Sequence, residues 1–186
     1  ELPVGSGLVL LALAGLHPLW TGQMVADNLQ RDEEVPAYWR EAVDAAGARG
    51  RDAGGASTSR MLELPGSDFA SYRWGNTVDP ITPGLTDRPL VARELIPYGT
   101  PLSADLLNSL DRPLQEGVLD PGALAPVARL MGAGDVLVRS DLAYERFNLA
   151  RPRQVYELMG MAPGITSIGA WGEGIPNVPD PALPLQ

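Results

Sequence analysis

The sequence predicts an α/β fold, with a mixed α+β arrangement as its alternative: a small sheet with flanking helices, preceded by the end of a transmembrane helix. Three observations carry this reading. The opening run has no formal charge from Pro3 to Trp20 and is apolar from Leu8 to Leu16, apart from Gly15. Leu102, Leu106, Leu110 and Leu114 recur four apart, with Leu107 beside them, which is the helical spacing. Gly134-Asp-Val-Leu-Val-Arg139 is β-branched and apolar and directly follows a helical pattern and a Gly turn. Helix, glycine, then buried strand is half of a βαβ unit.

The opening run reads as the last turns of a membrane helix. A bilayer core of roughly 30 Å needs about 20 apolar residues in a helix. The run is slightly short, and the chain begins at Glu1, so the start of the helix is expected upstream. A signal peptide would explain the length, and Ala12-Leu13-Ala14 fits its cleavage pattern. Its basic leading region is missing, since no Arg or Lys precedes Arg31. A buried core helix would need a polar face, and Leu8 to Leu16 has none. His17-Pro18-Leu19-Trp20 marks the exit, because Pro cannot extend a helix cleanly and Trp favours the headgroup level. The acidic stretch Asp27 to Glu34 then places this end outward. The organisation expected is residues 1–22 as the end of a transmembrane helix, 23–159 as a periplasmic α/β domain, and 160–186 as a Gly/Pro-rich linker or the start of a further domain.

Composition narrows the function. The net charge of -9 argues against a nucleic-acid partner, which needs a basic face. With no Cys, disulfides, thiol catalysis and Cys-based zinc sites are excluded. All fourteen basic residues are Arg, which suits a GC-rich genome.

Pro36 opens a helix through Gly47, with Trp39, Val43 and Ala46 on one apolar stripe. Ala48 to Ser59 is a flexible connector whose glycines fit no phosphate loop. Arg60 to Pro65 is a strand with imperfect alternation. Ser67 or Asp68 caps a short helical turn. Phe69 to Asp79 brings three aromatics within six residues, as a small core or as a platform for a sugar. Leu90 to Pro97 is strand-like, with one or two helical turns as its alternative. A helix starts at Ser103 and kinks or ends at Arg112-Pro113. A shorter one covers Leu124 to Met131. After the strand at Gly134 to Arg139, Ser140 or Asp141 caps a helix from Leu142 to Leu149, and Pro152 opens another. Ile165 to Trp171 is a final strand or the first strand of another domain.

Catalytic signatures are absent. The one His, His17, sits in the hydrophobic run and cannot serve a Ser-His-Asp triad or a His-rich metal centre. Pro65-Gly-Ser-Asp-Phe69 lacks the glycines of a nucleophile elbow. A carboxylate-only cation site stays open, although Asp79, Asp87, Asp105, Asp111 and Asp141 are scattered.

Three phrases carry a family resemblance: Pro36-Ala-Tyr-Trp-Arg-Glu-Ala, Leu62-Glu-Leu-Pro-Gly-Ser-Asp-Phe-Ala-Ser-Tyr-Arg-Trp-Gly75, and Leu130-Met-Gly-Ala-Gly-Asp-Val-Leu-Val-Arg-Ser-Asp-Leu142. With the preceding membrane exit they resemble the segment after the last membrane helix of the AftD-type arabinofuranosyltransferases, integral-membrane glycosyltransferases of the GT-C class. The resemblance spans roughly Leu8 to Met159. It implies transfer of arabinofuranose from a polyprenyl-phosphate arabinose donor to an arabinan acceptor, outside the cell membrane. The family's catalytic acid lies in an upstream loop, so no catalytic or metal-binding residue carries over to this chain. No cofactor belongs to this segment, and a divalent cation is left to the intact enzyme. The chain departs from the pattern at Asp135, where an aromatic or apolar residue is expected.

The resemblance implies a domain that braces the helix bundle or lines the acceptor groove. Arg73, Trp74, Asp79 and Arg93 are the groove candidates, as aromatic and charged groups in loop-rich stretches. Core packing and surface ion pairing are the competing roles for each. The alternative is a membrane-tethered extracytoplasmic binding or scaffold module with no enzymatic activity.

Overall fold

A computed structural model describes residues 2–21, 34–94 and 100–181. The backbone divides into two compact units, Glu1–Asp32 and Glu33–Gln186.

In the first unit, α1 (Leu2–Gly15) and α2 (His17–Thr21) meet at Leu16. The helical path does not end at His17-Pro18 as the sequence suggests. It breaks at Leu16 and resumes, with the amides of Leu19 and Trp20 donating to the Leu16 carbonyl at 2.9 and 3.3 Å. Proline brings no N–H to the ladder, so Pro18 accounts for a break at this point. Val9, Leu11, Leu13, Leu16, Leu19 and Trp20 are exposed. Among the described residues no helix is long and apolar enough to cross a membrane. The 14 residues of α1 reach only about 21 Å at ~1.5 Å per residue, short of the ~30 Å core. All of the expected acidic flank except Glu34 lies outside the described residues.

The second unit is built on a three-stranded parallel sheet in the order β4-β1-β5. The central strand β1 (Arg60–Leu64) pairs with β4 (Leu90–Val91) and β5 (Ala133–Val138). Residues Met61 to Leu64 are buried without interruption. Strands covered on both faces lose the apolar-polar alternation, which explains the imperfect pattern in the sequence. Helices α4 (Pro101–Glu116), α5 (Pro121–Leu130) and α6 (Pro152–Met161) complete an aliphatic core, in which Leu62, Leu64, Leu110, Leu114, Leu124, Val155 and Leu158 meet.

The caps differ from expectation. Thr100, not Ser103, caps α4, its hydroxyl accepting from the Ser103 amide at 3.3 Å. Proline at the first turn needs no amide donor, so Pro101 fits there. Pro113 does not end α4, which continues to Glu116 and closes on Gly117 with φ 73°. Leu114, deep in the core, anchors that last turn. Asp120 caps α5 by accepting from the Gly122 amide at 2.8 Å.

A second cluster forms around α3 (Ala37–Arg49) and an antiparallel hairpin of β2 (Ala70–Tyr72) and β3 (Gly75–Val78). It joins Trp39, Val43, Ala70, Tyr72, Leu142 and Leu149. Helix α3 runs past Gly47, which is buried within it.

Three expected elements do not form. Leu142 to Leu149 is not an α-helix; only Tyr144–Arg146 makes a 3-10 turn. Leu142 bridges Tyr72 instead, and the Ala143 amide donates to the Ser71 carbonyl at 2.7 Å, so the hairpin draws this segment out. Ile165 to Trp171 is not a strand but a largely exposed irregular segment. No helical turn starts at Ser67 or Asp68: the Ser67 hydroxyl bonds the Phe69 carbonyl and Asp68 pairs with Arg93. The strand-like Leu90 to Pro97 pairs only through Leu90–Val91, and its end lies outside the described residues.

Asp135, the polar departure within β5, has a structural use. It pairs with Arg88 at 2.7 Å and with Arg49 at 3.4 Å. Buried Arg88 also donates to the carbonyls of Ala46 at 2.7 Å, Ser59 at 3.1 Å and Arg60 at 3.2 Å, and to the Ser59 hydroxyl at 2.9 Å. One guanidinium thus joins the end of α3 to the starts of β1 and β5.

Candidate functional site

Asp141 follows β5, and its three side-chain donors come from two elements, α3 and the hairpin. Its Oδ2 accepts from the Tyr38 hydroxyl at 2.9 Å, Trp39 Nε1 at 2.7 Å and Trp74 Nε1 at 2.9 Å. Tyr38 and Trp39 arrive on the first turn of α3, and Trp74 on the hairpin turn. Tyr72 packs between the two indoles. It stacks on Trp74 with centroids 4.8 Å apart and meets Trp39 edge-on at 5.5 Å. Burial, then the charge and hydrogen bond of Asp141, hold the Tyr38 hydroxyl far above its ordinary range. It remains a donor to the carboxylate.

Beside this ring lies an ionic clasp. Arg73 forks onto Glu145, with Nη1–Oε1 at 2.5 Å and Nη2–Oε2 at 2.6 Å. Its Nε donates to Asn177 Oδ1, and its guanidinium carbon lies 5.4 Å from the centre of the Tyr144 ring. The Asn177 amide donates to the carbonyls of Ser140 at 2.6 Å and Leu142 at 2.9 Å. Burial alone would raise the Glu145 carboxyl. The Arg73 hydrogen bonds and the backbone amide of Asp180 outweigh it and hold the group at about 2.

The four residues singled out from sequence separate in space. Trp74 and Arg73 share the surroundings of Asp141, to whose carbonyl the Arg73 amide also donates at 2.7 Å. Arg93 belongs to another network, with Asp111 at 2.6 Å and Asp68 at 2.5 Å. Gly66 closes that network: a Cβ there would stand 2.6 Å from the Arg93 Cβ, so only glycine fits. Asp79 is exposed. It follows Val78, whose φ of 66° is strained for a β-branched residue, and its amide bonds the Thr77 carbonyl at 2.8 Å in a three-residue turn.

Sequence reasoning gave Asp141 only as a helix cap or scattered acid and passed over Tyr38, Glu145 and Asn177. The signal for Asp141 was its place just beyond the strongest strand, where open α/β sheets present side chains. Among the described residues no three Asp, Glu or His side chains converge as a metal site. An open hollow of about 430 Å³ lies at the opposite end of the sheet, between Ser57–Arg60, Pro89 and Leu130–Gly132.

The chain belongs to the family described as alpha-(1->3)-arabinofuranosyltransferase, N-terminal GT-C domain, which matches residues 2–183. Among relatives, the alpha-(1->3)-arabinofuranosyltransferase of Mycolicibacterium smegmatis is 31% identical over 90% of this chain, and that of Mycobacterium tuberculosis 32% over 87%. The chain spans 11% of the length of each. A cryo-EM structure of the arabinofuranosyltransferase AftD from Mycobacteria superposes with a TM-score of 0.68 at 27% identity, covering 90% of this chain and 12% of that one.

Proposed function

We propose that this chain is a non-catalytic part of a membrane arabinofuranosyltransferase. The intact enzyme moves arabinofuranose from a polyprenyl-phosphate donor to cell-envelope arabinan, and this part lies on the extracytoplasmic side of the cell membrane. Any divalent cation belongs to the rest of the polypeptide. Within the enzyme the segment braces its surroundings. The observation that carries this is how the candidate groove residues are engaged: Arg73, Trp74 and Arg93 all bind carboxylates of the chain itself. Their hydrogen-bonding capacity is directed inward. Asp79 is the candidate left facing solvent.

The test uses the intact enzyme and a lipid-linked arabinose donor. Arg93→Ala is expected to lower the thermal midpoint while turnover per folded molecule persists, and Asp79→Ala is expected to change neither. Lost arabinan extension in Asp79→Ala or Trp74→Ala, at normal expression and unchanged midpoint, would favour an acceptor groove over a brace.

A further inference from the structure

At the carboxyl ends of β1 and β5 two opposite charges are buried side by side without completing one another. The Glu63 and Arg139 side chains are each 1% exposed, and Arg139 Nη1 stands 3.6 Å from Glu63 Oε2. That is beyond hydrogen-bond reach. Neither oxygen of Glu63 has a hydrogen-bond partner among the described residues, and neither do Nε and Nη1 of Arg139. Arg139 Nη2 donates to the Pro65 carbonyl. The Tyr72 hydroxyl is likewise buried and without a hydrogen-bond partner. Burial pushes this hydroxyl up to about 12, with Arg139 pulling it down and Glu63 pushing it up, so both charges lie within its electrostatic reach.

Buried polar atoms in native proteins are bonded to protein or to ordered water. Here the unmatched groups include both donors and acceptors. A bound cation would face Arg139 and a bound anion would face Glu63. Water presents two donors and two acceptors, and internal water sites offer two to four polar partners. We propose that Glu63, Arg139 and Tyr72 enclose bound water, which completes the hydrogen bonding between the parallel sheet and the hairpin. The water accepts from the guanidinium, donates to the carboxylate and meets the phenol.

Two measurements on the intact enzyme decide the matter. A density map fine enough to show ordered water is expected to contain a peak within hydrogen-bond distance of Glu63 and of Arg139 or Tyr72. No peak, with the two charges closed into a direct pair, overturns the proposal. Tyr72→Phe keeps the ring between Trp39 and Trp74 and removes only the hydroxyl. Deleting a water-bonded hydroxyl is expected to lower the thermal midpoint by a few degrees. Deleting an unbonded one relieves a desolvation cost, so an unchanged or raised midpoint overturns the proposal too.

Discussion

The two clusters of the second unit hold together by different means. Around α4, α5 and α6 the contacts are mainly aliphatic, and the buried carboxylate of Asp111 on α4 is tied off by Arg93 and the Gly66 amide. Around α3 and the hairpin the side chains are aromatic, and a carboxylate gathers their donors. A leucine core is non-directional and tolerates small shifts. Three ring donors converging on one oxygen are not so tolerant, because each bond fixes a distance and an angle. The second cluster therefore specifies geometry where the first supplies burial.

Substitutions can break that contrast. The largest effect is expected in the aliphatic cluster. Leu124 is fully buried, and Leu124→Ala should lower stability by about 2–5 kcal/mol, as measured by chemical denaturation. Asp141→Ala comes next. It leaves the Tyr38, Trp39 and Trp74 donors without their acceptor, at a cost of about 2–3 kcal/mol. Asp141→Asn keeps an acceptor oxygen and should lose roughly half as much. Equal losses in the two variants would mean that charge, not acceptor geometry, holds the ring.

The smallest effect is a matter of pH. Glu145 sits at about 2 in the folded chain against an ordinary 4.5. Its folded value is depressed, so its contribution is complete above about pH 4.5 and is lost as pH falls toward 2. A pH titration of stability should show this acid loss, and Glu145→Gln should remove that component of it. An undiminished acid loss in Glu145→Gln would place its source elsewhere.

The same contrast explains what could be read from the sequence. The helices of the aliphatic cluster announce themselves through leucines four apart, and the strand at Ala133–Val138 through its β-branched run. The aromatic cluster is built from contacts between distant positions: Tyr38 meets Asp141 across 103 residues, and Arg73 meets Glu145 across 72. No local period encodes such pairs. Leu142 to Leu149 looked helical because Ser140 and Asp141 make good caps, but both are engaged in tertiary contacts, Asp141 through its side chain and Ser140 through its carbonyl. Of the candidate groove residues, sequence identified Trp74 and Arg73 as noteworthy but could not show that they point inward.

Arg88 bears on how this chain can drift in evolution. Its planar fork reaches three carbonyls, a hydroxyl and a carboxylate at once, and an ammonium has neither the five donors nor the flat shape to do so. A lineage moving toward AT-rich codons could exchange exposed Arg112 or Arg153 for lysine with little consequence, while codon 88 would resist. At most exposed positions lysine would serve as well, but at this one the contacts call for a guanidinium.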